Sequence, residues 1–360
     1  MSFHGGVETA TAGLLGELVV RGYAPDLFTT AGQVDLPGVA VKRLPVVRRP
    51  SVLRLLSFAL AARLATRDRG YDLVQSHERT LWQDVYRAGE GTHEGYLRAM
   101  GRHRARANPH HQALCALERR IFRLRSARHV VAISRRDRSE IHAVYRTPIE
   151  RVSVVYNGVD LARFTPDNRD RFRAATRESL DLSELDWVVL FVGSGFERKG
   201  LGPLVEAMSR AADARTRLVV AGKGRPDAYQ RQAHRLGLER QVRFVGPRPD
   251  VERLYAMADV VALPALYEPF GNVHLEALAS GVPVLTSARA GGAEAVTHGE
   301  SGWVVAEPSA ALIAEGLSAL RDLDGHAARA AARRAALPFT HAAQVDALEG
   351  IWGSLAPAAR

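Results

Sequence analysis

The carboxyl half of the chain alternates short, largely apolar runs with longer segments in which apolar residues recur every three or four positions. The short runs, 187–192, 217–221, 242–245, 259–263 and 282–286, predict strands, and the periodic segments at 201–214, 227–236, 249–257 and 270–280 predict helices between them. Strands with apolar character on both faces, separated by helices, predict a parallel sheet covered on both sides, a doubly wound α/β domain. The amino half repeats the theme less regularly, with strands near 39–44, 72–75, 129–133 and 152–155. There His4-Gly5-Gly6 leads directly into a helix over about 7–21. A glycine pair opening a helix normally follows a strand, so a longer reading frame is expected to supply about 8 to 12 apolar residues upstream.

Tyr156-Asn157-Gly158-Val159-Asp160 and the polar stretch 165–186 separate the two strand-rich regions. Three parts are expected: residues 1–162, residues 163–336, and a terminal helical brace over 337–360. A chain of 360 residues is long enough for two cores. With 46% apolar and 24% charged residues it has the composition of a globular protein. Cys115 is the single cysteine, which excludes an internal disulfide framework and a multi-cysteine metal cluster, and its apolar setting favours an inert helix thiol.

The net charge of +10 comes almost wholly from arginine, since Lys42, Lys199 and Lys223 are the only lysines. Arginines crowd residues 98–106 and 119–125. Three readings fit these runs: a solvated face, attraction to an anionic membrane or a phosphorylated acceptor, and nucleic acid. The last is weakest, because no nucleic-acid motif or aromatic platform accompanies the charge. No uncharged apolar run is long enough to span a bilayer, and 52–65, interrupted by Arg54 and Arg63, reads as an amphipathic or core helix.

Candidate chemistry concentrates in three places. The run Gly193-Ser194-Gly195-Phe196-Glu197-Arg198-Lys199-Gly200 joins a strand to a helix. Its glycines would let backbone N–H groups approach a ligand, and Arg198 and Lys199 would add two charges beside a helix amino end, which suits a diphosphate. A dinucleotide fold fits poorly: Arg198 stands where a third glycine is needed, and Ala221-Gly222-Lys223-Gly224 lacks the acidic ribose partner. Further on, Glu268 falls in a loop after the 259–263 strand, while Glu276 lies in a helix among apolar neighbours. A poorly solvated carboxylate needs hydroxyls or a cation, so a ribose diol and an internal arginine pair compete as its partner. Lastly, Gly291 and Gly292 offer backbone donors between a strand and a helix.

From residue 189 to 305 the sequence resembles the donor domain of glycosyltransferase family 4, with Glu268 and Glu276 matching that family's E-x7-E motif. The run from Gly193 to Gly200 is most similar to the lipopolysaccharide core glucosyltransferase subgroup. The resemblance is specific over the carboxyl half and thinner over 5–155. It implies a GT-B fold of two doubly wound Rossmann-like domains facing a cleft, the first on the acceptor side and the second holding a nucleotide sugar. It also implies retention of anomeric configuration without a cofactor or divalent metal. On this basis Arg198 and Lys199 would neutralise the donor diphosphate, Glu276 would hold the ribose, and Glu268 with Phe270, Gly271, Asn272 and Val273 would address the donor sugar. Gly193, Ser194, Gly195, Arg248, Gly291 and Gly292 would complete the donor site, with Gly5 and Gly6 approaching the phosphates from the amino domain. Ser194 departs from the family, which often has arginine there, so the charge falls to Arg198.

The segment 76–93 is rich in groups that would contact an acceptor, with His77 assisting proton movement and Asp84 or Glu90 orienting the hydroxyl. Ordinary loop and surface roles fit these residues equally well. The expected activity is transfer of a hexose, glucose foremost, from a UDP-sugar to a sugar of a lipid-linked glycan. The expected location is the cytoplasm, with peripheral contact to the membrane's inner face. A sugar-nucleotide epimerase of the same fold and a non-catalytic module binding anionic glycan or membrane are the alternatives.

Overall fold

A computed structural model describes residues 6–30, 35–67, 70–210 and 214–355. The chain forms two compact units, one of residues 7–158 with 341–355 and one of residues 159–340. The junction falls at Gly158 and Val159, and the chain returns to the first unit at His341.

The first unit contains α1 (Gly6–Val20), β1 (Asp26–Thr29), β2 (Ala40–Arg43), α2 (Ser51–Thr66), β3 (Gln75–Ser76), β4 (Gln83–Arg87), α3 (His93–Ala99), α4 (Pro109–Phe122), β5 (Ala127–Ala132), α5 (Arg135–Tyr145) and β6 (Val152–Val154). Strands β3 to β6 form a parallel sheet in sequence order, and β1 pairs with β2 separately. Three strands differ from the sequence expectation, and β1 is one that it did not contain. The segment expected as a strand at 72–75 pairs only at Gln75–Ser76, and Gln83–Arg87, read as part of an acceptor loop, is a fully buried strand. Its polar residues hid it, and each finds a partner inside: Gln83 accepts from Thr80, Asp84 accepts from the Val74 N–H at 2.9 Å, and Arg87 donates to Asn157, although Gln83 Nε2 and Arg87 Nε are left unbonded.

The terminal helix α13 (His341–Leu355) also completes this unit. It sets Val345, Leu348 and Ile351 against Leu14, Leu15 and Leu18 of α1 and against Val85, Val131 and Val155. At Gly158 a β-carbon would stand 2.6 Å from the His341 backbone nitrogen, so only glycine lets the returning chain pass. The expected brace is therefore part of one unit's core.

The second unit is a six-stranded parallel sheet. Its elements are α6 (Asn168–Ser179), β7 (Trp187–Val192), α7 (Leu201–Arg210), β8 (Thr216–Ala221), α8 (Asp227–Arg235), β9 (Val242–Gly246), α9 (Val251–Met257), β10 (Val260–Leu263), α10 (Val273–Ala279), β11 (Val284–Ser287), β12 (Gly302–Val305), α11 (Ala310–Arg321) and α12 (Gly325–Ala336). Strand order is β12-β11-β10-β7-β8-β9, the doubly wound order of dinucleotide-binding folds. The order reverses between β7 and β10, which opens a crevice at their carboxyl ends. The β-branched and aromatic runs Trp187–Val192 and Val260–Leu263 are buried on both faces, as expected for the centre of a covered parallel sheet.

One half-buried carboxylate fixes β10 beside β7. Asp259 accepts from the Val188 N–H at 2.8 Å, and Arg169, Arg173 and Arg177, spaced one helical turn apart on α6, converge on it at 3.6, 3.1 and 2.7 Å. Asp259→Ala would leave the fully buried Arg177 without its counter-charge. We expect that variant to lose about 3 kcal/mol in chemical denaturation of the second unit; a loss within 0.5 kcal/mol, the usual scatter of a surface substitution, would contradict this role for Asp259.

Candidate functional site

Three loops meet at the carboxyl edge of the second unit's sheet. The first, after β7, is anchored by Phe196, whose buried ring lies edge-on to Phe191 and Tyr229 at 5.9 and 5.8 Å. Ser194 and Gly195 lie exposed beyond it, with no hydrogen-bond partner for their backbone N–H groups among the described residues. Gly193 has φ of 148°, and a β-carbon there would meet Lys199 Cδ at 2.6 Å. Glycine is needed because Lys199 folds back across the loop.

Lys199 turns inward to reach Glu268 in the second loop, after β10. Its Nζ lies 2.7 Å from Glu268 Oε2, and Arg198 Nη1 lies 2.9 Å from the same oxygen. Glu268 and Lys199 are each only 7% exposed, so their pair is withdrawn from water, with Arg198 half-exposed beside it. Burial would push the Glu268 carboxyl up, but the charges of Lys199 and Arg198 prevail and hold it at about 2. Arg198 also donates to the Tyr267 carbonyl, and its own carbonyl accepts from the Leu266 N–H, so the two loops are bonded at backbone and side chain alike.

Glu276 sits one turn into α10, half-buried, accepting from the Tyr255 hydroxyl at 2.6 Å through Oε2. Burial raises its pKa despite that hydrogen bond. No arginine pairs with it among the described residues. Oε1 therefore retains acceptor capacity.

The third loop corrects an expectation. Gly291 and Gly292 do not present donors to a ligand: their N–H groups bond the carbonyls of Glu268 and Phe270 at 2.9 and 2.8 Å. They hold the second loop in place. Phe270 is buried, so what it offers outward is backbone. Arg248 does not reach out either, since its fork closes on Asp250 at 2.8 and 2.7 Å. Asn272 and Val273 open α10 and are half-exposed beside Gly271.

Sequence reading missed His274. It is fully buried, with Nδ1 at 2.6 Å from the Gly271 carbonyl and Nε2 at 2.8 Å from Thr286 Oγ1. It bridges the second loop to β11, and its ring fills the space that a β-carbon on Gly292 would take. Only the pairing of a helix histidine with a distant strand threonine reveals this role. A cavity of about 240 Å³ lies next to the first loop, lined by Phe196, Lys223, Gly224, Phe244 and Pro247.

The amino-unit candidates separate in the structure. Asp84 is not a loop residue: it is the second residue of β4, occupied by the Val74 N–H and by Arg128 at 3.3 Å, and it serves the sheet. His77 bonds Thr11 at 3.2 Å and Gln75 at 3.0 Å, and burial together with the charge of Arg87 keeps it neutral, with its pKa near 3. Glu90, exposed, pairs with Arg79 at 2.9 Å. Gly5 lies outside the described residues, and Gly6 is the first residue of α1. No group of three or more histidine, cysteine or acidic side chains among the described residues is arranged to hold a metal ion.

The sequence model described as "Glycosyl transferases group 1" matches residues 172–336, and that described as "Glycosyltransferase Family 4" matches residues 4–163. A Burkholderia thailandensis protein described as a "probable transglycosylase" is 33% identical over 299 residues, covering 82% of this chain and 77% of that one. The lipopolysaccharide glucosyltransferase WaaG of Escherichia coli is 25% identical over 308 residues, covering 84% and 82%. Among solved structures, WaaG superposes with a TM-score of 0.83 at 24% identity, covering 97% and 96%. Anabaena HepE, solved with UDP-glucose, superposes with a TM-score of 0.77 at 19% identity, covering 98% and 97%.

Two outcomes check the site's construction. Gly193→Ala is expected to displace Lys199 and lower stability by about 1 to 3 kcal/mol, combining a positive φ with overpacking; unchanged denaturation would refute the packing argument. Burial lowers the His274 pKa to about 4, although the Gly271 carbonyl and Glu268 pull it upward. The unfolded chain takes up that proton near pH 6.5 and the folded chain only near 4, so acidification across this window favours unfolding by up to about 3 kcal/mol. The stability deficit of His274→Asn should therefore shrink between about pH 7 and pH 4, as read by denaturation at each pH.

Proposed function

This chain belongs to the family 4 glycosyltransferases and has their GT-B fold, and we propose that it transfers a hexose, glucose foremost, from a UDP-sugar to a sugar of a lipid-linked glycan, retaining anomeric configuration and needing no divalent metal. The observation that carries the reading is the ion cluster of Arg198, Lys199 and Glu268 at the sheet's switch point, beside exposed N–H groups of a glycine loop. The cluster is one positive charge in excess. An anion bound there meets fixed donors without reorganising a flexible side chain.

The parts of the donor fit what lies around this cluster. The diphosphate sits against Ser194 and Gly195 with Arg198 and Lys199 beside it. Glu276 Oε1 accepts from the ribose, the Tyr255 hydroxyl holding the other oxygen. The base enters the cavity lined by Phe196 and Phe244, whose aromatic and glycine walls suit a flat ring. The sugar lies toward the Gly271 and Asn272 end of the second loop. The bond broken joins the anomeric carbon to the diphosphate, the bond formed joins that carbon to the acceptor oxygen, and the acceptor proton leaves as UDP departs. Charge grows on the diphosphate as the bond opens, and Arg198 and Lys199 stabilise it there. HepE, a structural neighbour solved with UDP-glucose, supports the choice of donor. No helix among the described residues is long and apolar enough to cross a membrane, and we place the enzyme in the cytoplasm, working at the membrane's inner face.

The test is nucleotide-sugar binding followed by turnover. UDP-glucose should raise the melting temperature more than GDP- or ADP-sugars do, a ligand at 100 times its dissociation constant adding about 2.7 kcal/mol. Lys199→Ala and Glu276→Ala should each weaken donor binding about tenfold or more, the worth of one hydrogen bond to a charged group. Undiminished turnover in both variants would overturn the site assignment. UDP-glucose consumed without an acceptor would overturn the transfer reaction in favour of epimerisation or hydrolysis.

A further inference from the structure

Helix α2 lies on the surface of the first unit and carries leucines on the face turned away from the protein. Leu53, Leu56, Leu60 and Leu64 are 48%, 42%, 51% and 60% exposed, while Ala59, on an adjoining face of the helix, is fully buried. At 100° per residue the four leucines fall within an arc of about 80°, a single stripe along the helix. Four aliphatic side chains held in line in water are costly unless something covers them.

The charge around the stripe indicates the partner. Between Asp35 and Asp68 the sequence contains Lys42, Arg43, Arg48, Arg49, Arg54, Arg63 and Arg67 and no acidic residue. Arg48, Arg49 and Arg54 are exposed, and with Arg63 they form no ion pair among the described residues. Arg54 and Arg63 lie on either side of the leucines. Helix α2 packs against α4, so the arginine-rich segment that precedes α4, with Arg102 and Arg104 exposed, continues the positive field. The chain has 39 acidic residues, and none of them falls within residues 36–67.

We propose that α2 docks this enzyme on an anionic lipid surface, its leucines entering the acyl boundary while the arginines reach back to the phosphate headgroups. This rests on the membrane-side reading above and assigns the surface that carries it. The stripe is short and flanked by charge, so the helix lies in the interface and does not span it.

Flotation of the full chain with vesicles tests this, using phosphatidylcholine alone and an equimolar mixture with phosphatidylglycerol. The protein should float with the mixed vesicles, and far less with phosphatidylcholine or at high salt. Leu56→Glu with Leu60→Glu should lower the bound fraction about tenfold or more, and Arg48→Ser with Arg49→Ser and Arg54→Ser should remove most of the salt dependence. These exposed positions should leave the melting temperature and the UDP-glucose shift at wild-type values, so the same samples read the donor assignment separately. Wild-type protein that ignores the anionic vesicles, or binding that survives the leucine changes, would overturn the proposal. So would a dimer in light scattering that the leucine changes dissolve while vesicles bind nothing, which would make the stripe a contact between copies.

Discussion

A carboxylate buried at the end of a parallel strand has to be compensated, and in the second unit Glu268 meets this constraint through Lys199 and Arg198. The rest of the site follows from that pairing. To reach Glu268, Lys199 folds across Gly193, which excludes a side chain there. The two cations bring the loop after β7 onto the loop after β10, and Gly291 and Gly292 fasten the second loop from the other side through their N–H groups. Burying charges without partners would cost several kcal/mol, so the cluster stands or falls together. The arrangement also leaves one positive charge in excess beside exposed backbone donors, the electrostatic condition that a diphosphate leaving group requires.

The supporting layers show the same logic at greater depth. Asp259 gathers three arginines of α6 and the Val188 N–H, which fixes the start of β10 against β7 before either strand reaches the site. His274 joins the second loop to β11 with both ring nitrogens occupied and is held neutral by burial. None of these groups is placed to touch a donor. They hold rigid the loops whose backbone and cations the proposed donor would meet, as preorganised binding demands.

The amino unit turns polar residues inward for a different purpose. Arg79 donates to Glu118, itself fully buried, and the Tyr145 hydroxyl donates to the same carboxylate at 2.5 Å. Asp84, His77 and Arg87 likewise bond strands, loops and one helix to one another. Polar residues in that stretch thus mark buried connections at several positions where a surface loop was the simpler reading, and Glu90 is the one of the three acceptor candidates left exposed.

Much of this was legible along the chain. The apolar runs of the carboxyl half announced five parallel strands, and the Gly193 to Gly200 run with Glu268 and Glu276 announced the segments that gather at the sheet's carboxyl edge, because burial on both faces and close backbone approach leave direct marks on composition. What the sequence could not decide was which groups answer one another. That Gly291 and Gly292 bind a loop instead of a ligand, that Gln83–Arg87 is a strand, and that α2 turns its leucines outward are matters of contact between residues far apart in sequence or of which face meets the core. Hydrogen-bond partners and helix orientation are set by packing, and a linear pattern records only that a residue is polar or apolar, not what it meets.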